Sequence, residues 1–281
     1  MEFTTPQPCH FTTTMKTFAS STYHARAIVL RVRNLGETDR VMTLLSDELG
    51  KFDATARGAR RPKGKLSAVS QPFVRARFLI AKGRSLDIAT QAEIEDAHPH
   101  ITSDLLKTAW ATYCCELSSF LPEHLPENEL FDLLAITLEA LDKTSPERIE
   151  LIGRWFEAHY LALLGYAPQI GRCMSCNSKI VVASDDMAQK LLFSPALGGT
   201  LCGSCAGKDA QRLTVNVQSL RFLHQLLRSV EPPADWDLPG NARRDLHDCL
   251  RRTLLAHLDL RPKSQSFLDE VMADVATRPL A

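Results

Sequence analysis

Residues 25–33 read Ala-Arg-Ala-Ile-Val-Leu-Arg-Val-Arg. This is a strand pattern, with Ile28, Leu30 and Val32 on one face and Arg31 and Arg33 on the other. Asn34-Leu35-Gly36-Glu37 is a turn signal, and Asp39–Ser46 is a second apolar stretch. Gly50 breaks the chain before Lys51-Phe52-Asp53-Ala54-Thr55-Ala56. A Gly/Pro/basic loop, Arg57-Gly58-Ala59-Arg60-Arg61-Pro62-Lys63-Gly64-Lys65, comes next. Alternation returns at 73–80, with Val74, Ala76, Phe78 and Ile80 against Phe73, Arg75, Arg77 and Leu79. Gly83 turns into a last strand, 86–90. Five short strands in about 70 residues, without a helical pattern, predict a small closed barrel of the OB type, because closure removes exposed edges.

After His98-Pro99-His100 the period changes to that of helices. Leu105, Leu106, Ala109, Trp110, Tyr113, Leu117 and Phe120 mark one, ended by Pro122 and Pro126. Leu130, Leu133, Leu134, Leu138 and Leu141 mark a second. Ser145-Pro146-Glu147 opens a third, a Ser N-cap with Pro at the first helical position. Further helices are expected around Leu220–Leu227 and Leu246–Leu258, with a short one around Phe267–Met272.

Cys173-Met-Ser-Cys176 and Cys202-Gly-Ser-Cys205 are two knuckles 25 residues apart. A two-residue spacer lets both thiolates turn toward one tetrahedral ion, and Gly203 is expected to relieve the second turn. Zinc suits four sulfur ligands, and a closed donor set makes the site structural rather than catalytic. A redox reading lacks the βαβ context that such a motif needs. Ile180-Val181-Val182 and Leu191–Ser194 are candidate hairpin strands between the knuckles. Cys9, Cys114, Cys115 and Cys249 lack partners at such spacing and read as small buried thiols.

The expected fold class is therefore α+β: an N-terminal OB-fold β-barrel followed by a helical domain with an inserted four-cysteine zinc-binding module. The divisions are a disordered leader at 1–22, the barrel at 23–97, a first helical part at 98–170, the zinc module at 171–208 and a second helical part at 209–281. Met15 is an alternative start. No apolar run approaches the ~20 residues that span a bilayer, and the leader lacks the charged start and apolar run of a secretory signal.

Charge points to the partner. The whole chain is neutral, yet residues 23–90 hold fourteen Lys and Arg against six Asp and Glu. Such an excess calls for an anion, and a basic groove with aromatic platforms suits a single nucleic-acid strand. Phe73 is equally consistent with stacking and with the core, whereas Phe52 is expected in the core. The loop is no phosphate-binding P-loop. Five residues separate Gly58 from Gly64, and Leu66 stands where a magnesium-binding hydroxyl is required. No catalytic set emerges, and the histidines read as surface or core residues. Arg172, Arg221, Arg228, Arg243, Arg244, Arg251 and Arg252 in the helical half fit either capture of an acidic peptide or ordinary pairing with Glu231, Asp245 and Asp248.

The order of parts resembles the bacterial RecO family of DNA repair proteins. The resemblance rests on the start at 25–33, Leu35-Gly-Glu-Thr-Asp-Arg40, Gly50-Lys-Phe, Ala56-Arg-Gly-Ala-Arg-Arg61, Leu163-Leu-Gly-Tyr-Ala-Pro168, and Phe193-Ser-Pro195 before Gly198-Gly199 and Cys202. It implies a non-enzymatic mediator that binds single- and double-stranded DNA and anneals complementary strands. It also implies that the protein works with RecR to load RecA onto strands covered by single-stranded-DNA-binding protein, in the cytoplasm at the nucleoid. By that similarity Arg31, Arg33, Arg57, Arg60, Arg61, Lys63, Lys65, Arg75 and Arg77 are the DNA contacts, and Cys173, Cys176, Cys202 and Cys205 hold one structural zinc. The competing reading is an RNA-binding zinc-ribbon factor in transcription or translation.

Overall fold

The computed structural model describes residues 22–120, 127–182, 189–235, 238–258 and 261–277. The leader as far as residue 21, with Cys9 and Met15, lies outside them, as do Pro122, His124 and Pro126.

Five strands, β1 (Thr22–Leu35), β2 (Asp39–Ser46), β3 (Gly50–Ala56), β4 (Arg75–Ala81) and β5 (Asp87–Asp96), close into a barrel in the order β1-β2-β3-β5-β4. Every pairing is antiparallel except that of β3 with β5. The barrel predicted from the strand pattern is the barrel observed.

The facing of β1 differs from the expectation. Ala25, Ala27 and Val29 point into the barrel with Ala54, Ala56, Ala76, Phe78 and Ile80. Ile28 and Leu30 point the other way and join the core of the helices. Between Val29 and Arg31 the register with β2 shifts, so one residue is left over. Such a bulge reverses the facing of the residues beyond it. Val32 accordingly packs on the barrel core, and Arg31 and Arg33 are exposed. Both faces of β1 are thus buried along its middle.

Among the described residues seven α-helices come after the barrel: α1 (Pro99–Ser103), α2 (Leu105–Ser119), α3 (Glu127–Lys143), α4 (Ile149–Leu163), α5 (Val217–Arg228), α6 (Gly240–His257) and α7 (Ser264–Thr277). Asp104 caps α2, accepting the Lys107 amide. Pro146 starts a short 3-10 turn ahead of α4, and the Ser145 side chain makes no capping bond. Trp110, Tyr113, Leu134, Trp155, Phe156, Tyr160, Leu223 and Leu250 fill one core, which also takes Ile28, Leu30, Leu45 and Phe73 from the barrel. Phe73 is therefore core: 5% exposed, with a left-handed φ of 72°. Helices α2 and α4 approach closely at Gly153, where a Cβ would lie 2.1 Å from the Trp110 ring.

An ionic cluster lies inside this core. Glu157, fully buried, accepts from the Tyr113 hydroxyl at 2.9 Å and from Arg154 at 2.7 Å. Arg251 lies 3.9 Å from the same carboxylate and 2.7 Å from Asp269. The buried charges of Glu157, Arg154 and Arg251, whose desolvation their pairing offsets, thereby link α4 and α6, with the Tyr113 hydroxyl of α2 and the half-exposed Asp269 of α7 completing the cluster.

Between α4 and α5 sits a small sheet, β6 (Lys190–Ser194), β7 (Gly199–Leu201) and β8 (Leu213–Asn216), in the order β7-β6-β8. The 191–194 stretch is a strand as expected, whereas 180–182 is not. Backbone there contributes only single bridges and turns around the first knuckle. Among the described residues no helix is long and apolar enough to cross a membrane.

Candidate metal centre and nucleic-acid interface

The four cysteines come together. Cys173 follows a bridge between Arg172 and Lys179, and Cys202 follows β7 directly. The first knuckle is stitched to β7 by Met174 N–H to Thr200 O at 2.9 Å and by the Thr200 hydroxyl to Arg172 O at 2.9 Å. Gly199 permits this, since a Cβ there would lie 2.4 Å from the Gln169 carbonyl. The four Sγ atoms all lie within 4.8 Å of one another, and Cys176 and Cys202 are 3.6 Å apart. Tetrahedral thiolates ~2.3 Å from one ion sit about 3.8 Å apart, so the donor set fits a single metal ion.

Two features of this centre escaped the sequence reading. The Ser178 hydroxyl lies 3.1 Å from Cys176 Sγ, and the Ser204 hydroxyl 3.2 Å from Cys202 Sγ. Each stands two residues after its cysteine, and that repeated spacing is the signal that was available. The Ser204 hydroxyl is the main influence pulling the Cys202 thiol down to about 6, toward the thiolate a metal needs. Gly203, by contrast, is not required: it lacks a left-handed φ, and a Cβ there would meet open space. The left-handed residue is Asn177, φ 59°, at the exit of the first knuckle. Cys114, Cys115 and Cys249 are buried, and burial raises their thiols well above the ordinary value. They are inert core groups.

The basic loop 57–65 leaves β3 and folds back on the turn between β1 and β2. The Asp39 carboxylate accepts the Gly58 amide at 2.8 Å and the Thr38 hydroxyl at 2.8 Å. Those donors, Gly58 first, hold its carboxyl below the usual range. Arg60 donates through its amide to Thr38 O at 2.9 Å and through its guanidinium to Gly36 O at 2.8 Å. Arg40 reaches the far end of the segment, donating to Ser70 O at 2.9 Å. The run Gly36-Glu-Thr-Asp-Arg40 is therefore the anchor of the loop, a role not legible from residue types alone. Arg57, Arg60, Arg61, Lys63 and Lys65 are all exposed. Four of them (all but Arg60) line an open cleft of about 600 Å3 whose other wall is Ile88, Ala89 and Thr90 of β5.

The remaining basic candidates are disposed differently. Arg31 and Arg33 are exposed on β1, and Arg33 lies 3.4 Å from Asp53. Arg75 and Arg77 both pair with Glu95, at 3.4 and 2.8 Å, and Arg26 joins them at 2.9 Å. Burial raises the Glu95 carboxyl, but the bonds from Arg26 and Arg77 outweigh it and hold the group below its usual range. In the helical half, Arg251 pairs with Asp269 and Glu157, while Asp245 accepts from Asn216.

A closed barrel bearing an anchored basic loop, joined through one core to a helical body with a four-cysteine cluster able to hold a metal ion, defines the class of protein. Residues 20–98 match the family model described as recombination protein O N terminal, and residues 102–266 the one described as recombination protein O C terminal. The chain is 34% identical over 249 residues to the DNA repair protein RecO of Symbiobacterium thermophilum, covering 88% of this chain and 96% of that one. It is 35% identical over 251 residues to its namesake from Desulforudis audaxviator, covering 88% and 96%. Against that of Pelotomaculum thermopropionicum it is 36% identical over 256 residues, covering 88% and 93%. The chain belongs to the RecO family, as the N-terminal and cysteine motifs led us to expect.

Proposed function

We propose that this protein is a DNA repair and recombination mediator that binds single- and double-stranded DNA and anneals complementary strands without turnover of its own. The observation that carries the reading is the loop 57–65: five exposed cations on a backbone pinned to the barrel by Asp39 and Arg60, with Arg40 holding Ser70 just beyond it. Cations fixed beside two strands screen phosphate repulsion, and base pairing supplies the driving energy. Arg31 and Arg33 extend this surface. Arg75 and Arg77 would contribute by exchanging Glu95 for phosphate.

Zinc is the proposed metal, since a closed four-thiolate set suits it and leaves no position for substrate. Cys173, Cys176, Cys202 and Cys205 would hold it, and its role is to staple the two knuckles. The proposed divisions are a barrel at 23–97, a helical body at 98–170 and 209–281, and the metal module at 171–208. RecR, RecA and single-stranded-DNA-binding protein are the proposed partners, at the nucleoid in the cytoplasm.

The decisive assay mixes complementary DNA strands with the protein in the absence of ATP. Annealing is expected to accelerate, and an unchanged rate overturns the mediator reading. A strong preference for RNA over single-stranded DNA in competition would favour an RNA-binding factor instead.

A further inference from the structure

The basic loop supplies charge but no ring. Phe73, the aromatic residue that closes its segment, is turned into the helical core. Accessible aromatic surface on the barrel lies elsewhere. Tyr23 at the start of β1 and Phe52 near the start of β3 are only partly buried, with ring centroids 6.3 Å apart. Both rest on the barrel core at one of its mouths. With His24, Leu49, Lys82 and Asp87 they line an open pocket of about 430 Å3. Leu49, on the hairpin turn, is 47% exposed.

This mouth is held in shape. The Tyr23 hydroxyl donates to Asp87 Oδ2 at 2.5 Å, and Lys82 donates to the same oxygen at 3.0 Å. The Lys82 ammonium also sits 4.6 Å from the Tyr23 ring centroid. The Gly83 amide holds the other carboxylate oxygen at 3.2 Å. A ring fixed with a cation over one face, a second ring tilted at 59° beside it and an aliphatic wall suit a flat, polarisable heterocycle on an anionic backbone.

The pocket and the basic cleft are neighbours along β5. Asp87 lines one, and the next three residues of β5 line the other. Phe52 stands five residues before Arg57 along β3, a distance of roughly 16 Å. We propose that this barrel mouth is a stacking site for one unpaired nucleobase of a strand whose phosphates lie on loop 57–65. The inference rests on the DNA-binding reading above and adds a base subsite to it. A base within a duplex is stacked on both faces and cannot enter, so the site selects single strands without reading sequence.

The test compares an oligothymidylate with an abasic oligomer of equal length and charge, on the full chain. The normal strand is expected to bind about tenfold more tightly, the worth of one base–aromatic stack at the low end of its range. A 2-aminopurine base in the strand should change in fluorescence on binding. Tyr23→Leu and Phe52→Leu should bring the affinity ratio close to one. Arg57→Ala with Arg60→Ala and Arg61→Ala should weaken both oligomers and preserve the ratio. Equal binding of the two oligomers to the unaltered protein, or a ratio that survives both aromatic substitutions, overturns the base site while leaving DNA binding intact. Absence of binding to either oligomer and to duplex overturns the DNA reading, and the base site with it.

Discussion

The Asp39 carboxylate accepts the Gly58 amide at 2.8 Å, and that bond ties the first turn of the barrel to the segment bearing its most concentrated charge. Asp39→Ala should release the loop without unfolding the barrel. Tryptic cleavage between Arg57 and Lys65 is expected to quicken several-fold, with DNA affinity falling in parallel. The anchor is also acid-sensitive. A carboxyl whose folded pKa is depressed contributes above its ordinary range and loses that contribution as pH falls through the folded value, here below about pH 4. Hydrogen-exchange protection of the Gly58 amide should therefore hold from neutral pH down to that point and fall below it. Protection unaffected by Asp39→Ala would refute the anchoring role.

Replacing Arg57, Arg60 and Arg61 together with alanine should slow annealing and flatten its salt dependence. If about six phosphates are contacted, log affinity for a single strand falls with log salt at a slope near −4, and loss of three contacts should bring it to about −2. Titrations at four or five salt concentrations measure both slopes. An unchanged slope would place the phosphates elsewhere.

Glu157→Gln should be among the most damaging single substitutions in the helical body. The side chain is fully buried and accepts from Tyr113 and Arg154, with Arg251 nearby. Removing its charge leaves Arg154 with Glu150 alone and Arg251 with Asp269 alone, and breaks the one fully buried pair of the cluster, at a cost of up to about 3–5 kcal/mol. Chemical denaturation should show this as a lower midpoint with an unchanged slope.

Purified protein should carry one zinc per chain, and Cys173→Ser should release it. Of the four ligands Cys173 is the buried one, so its loss also disturbs the packing of the knuckle on β7. A lowered thermal midpoint is expected both for this variant and for chelator-treated protein. Full stability without metal would count against a structural role.

Much of this architecture was legible in the sequence, and the exceptions share a cause. The alternation at 74–80 identified the inward face of β4, since that strand buries one face in its own barrel. Strand β1 misled because it buries both faces and bulges, so Ile28 and Val32, four residues apart, serve different cores. Phe73 could not be assigned from its neighbours, because what covers it is a body of helices that begins some thirty residues later. The cysteine spacing revealed four thiols that come together as a donor set fit for one metal ion, whereas Ser178 and Ser204 act through side-chain approach, which spacing only hints at. Arg75 and Arg77 looked like free charge until Glu95, eighteen or more residues on, was brought across by β4–β5 pairing.

Ile28, Leu30, Leu45 and Phe73 leave the barrel without a finished outer wall. Cut away from its helices, it would present these four side chains to water and adhere to its own copies. The two halves therefore have no independent orientation to explore. A partner gripping the helices would also aim the cationic loop, and a strand held by the loop would arrive at that partner already in position.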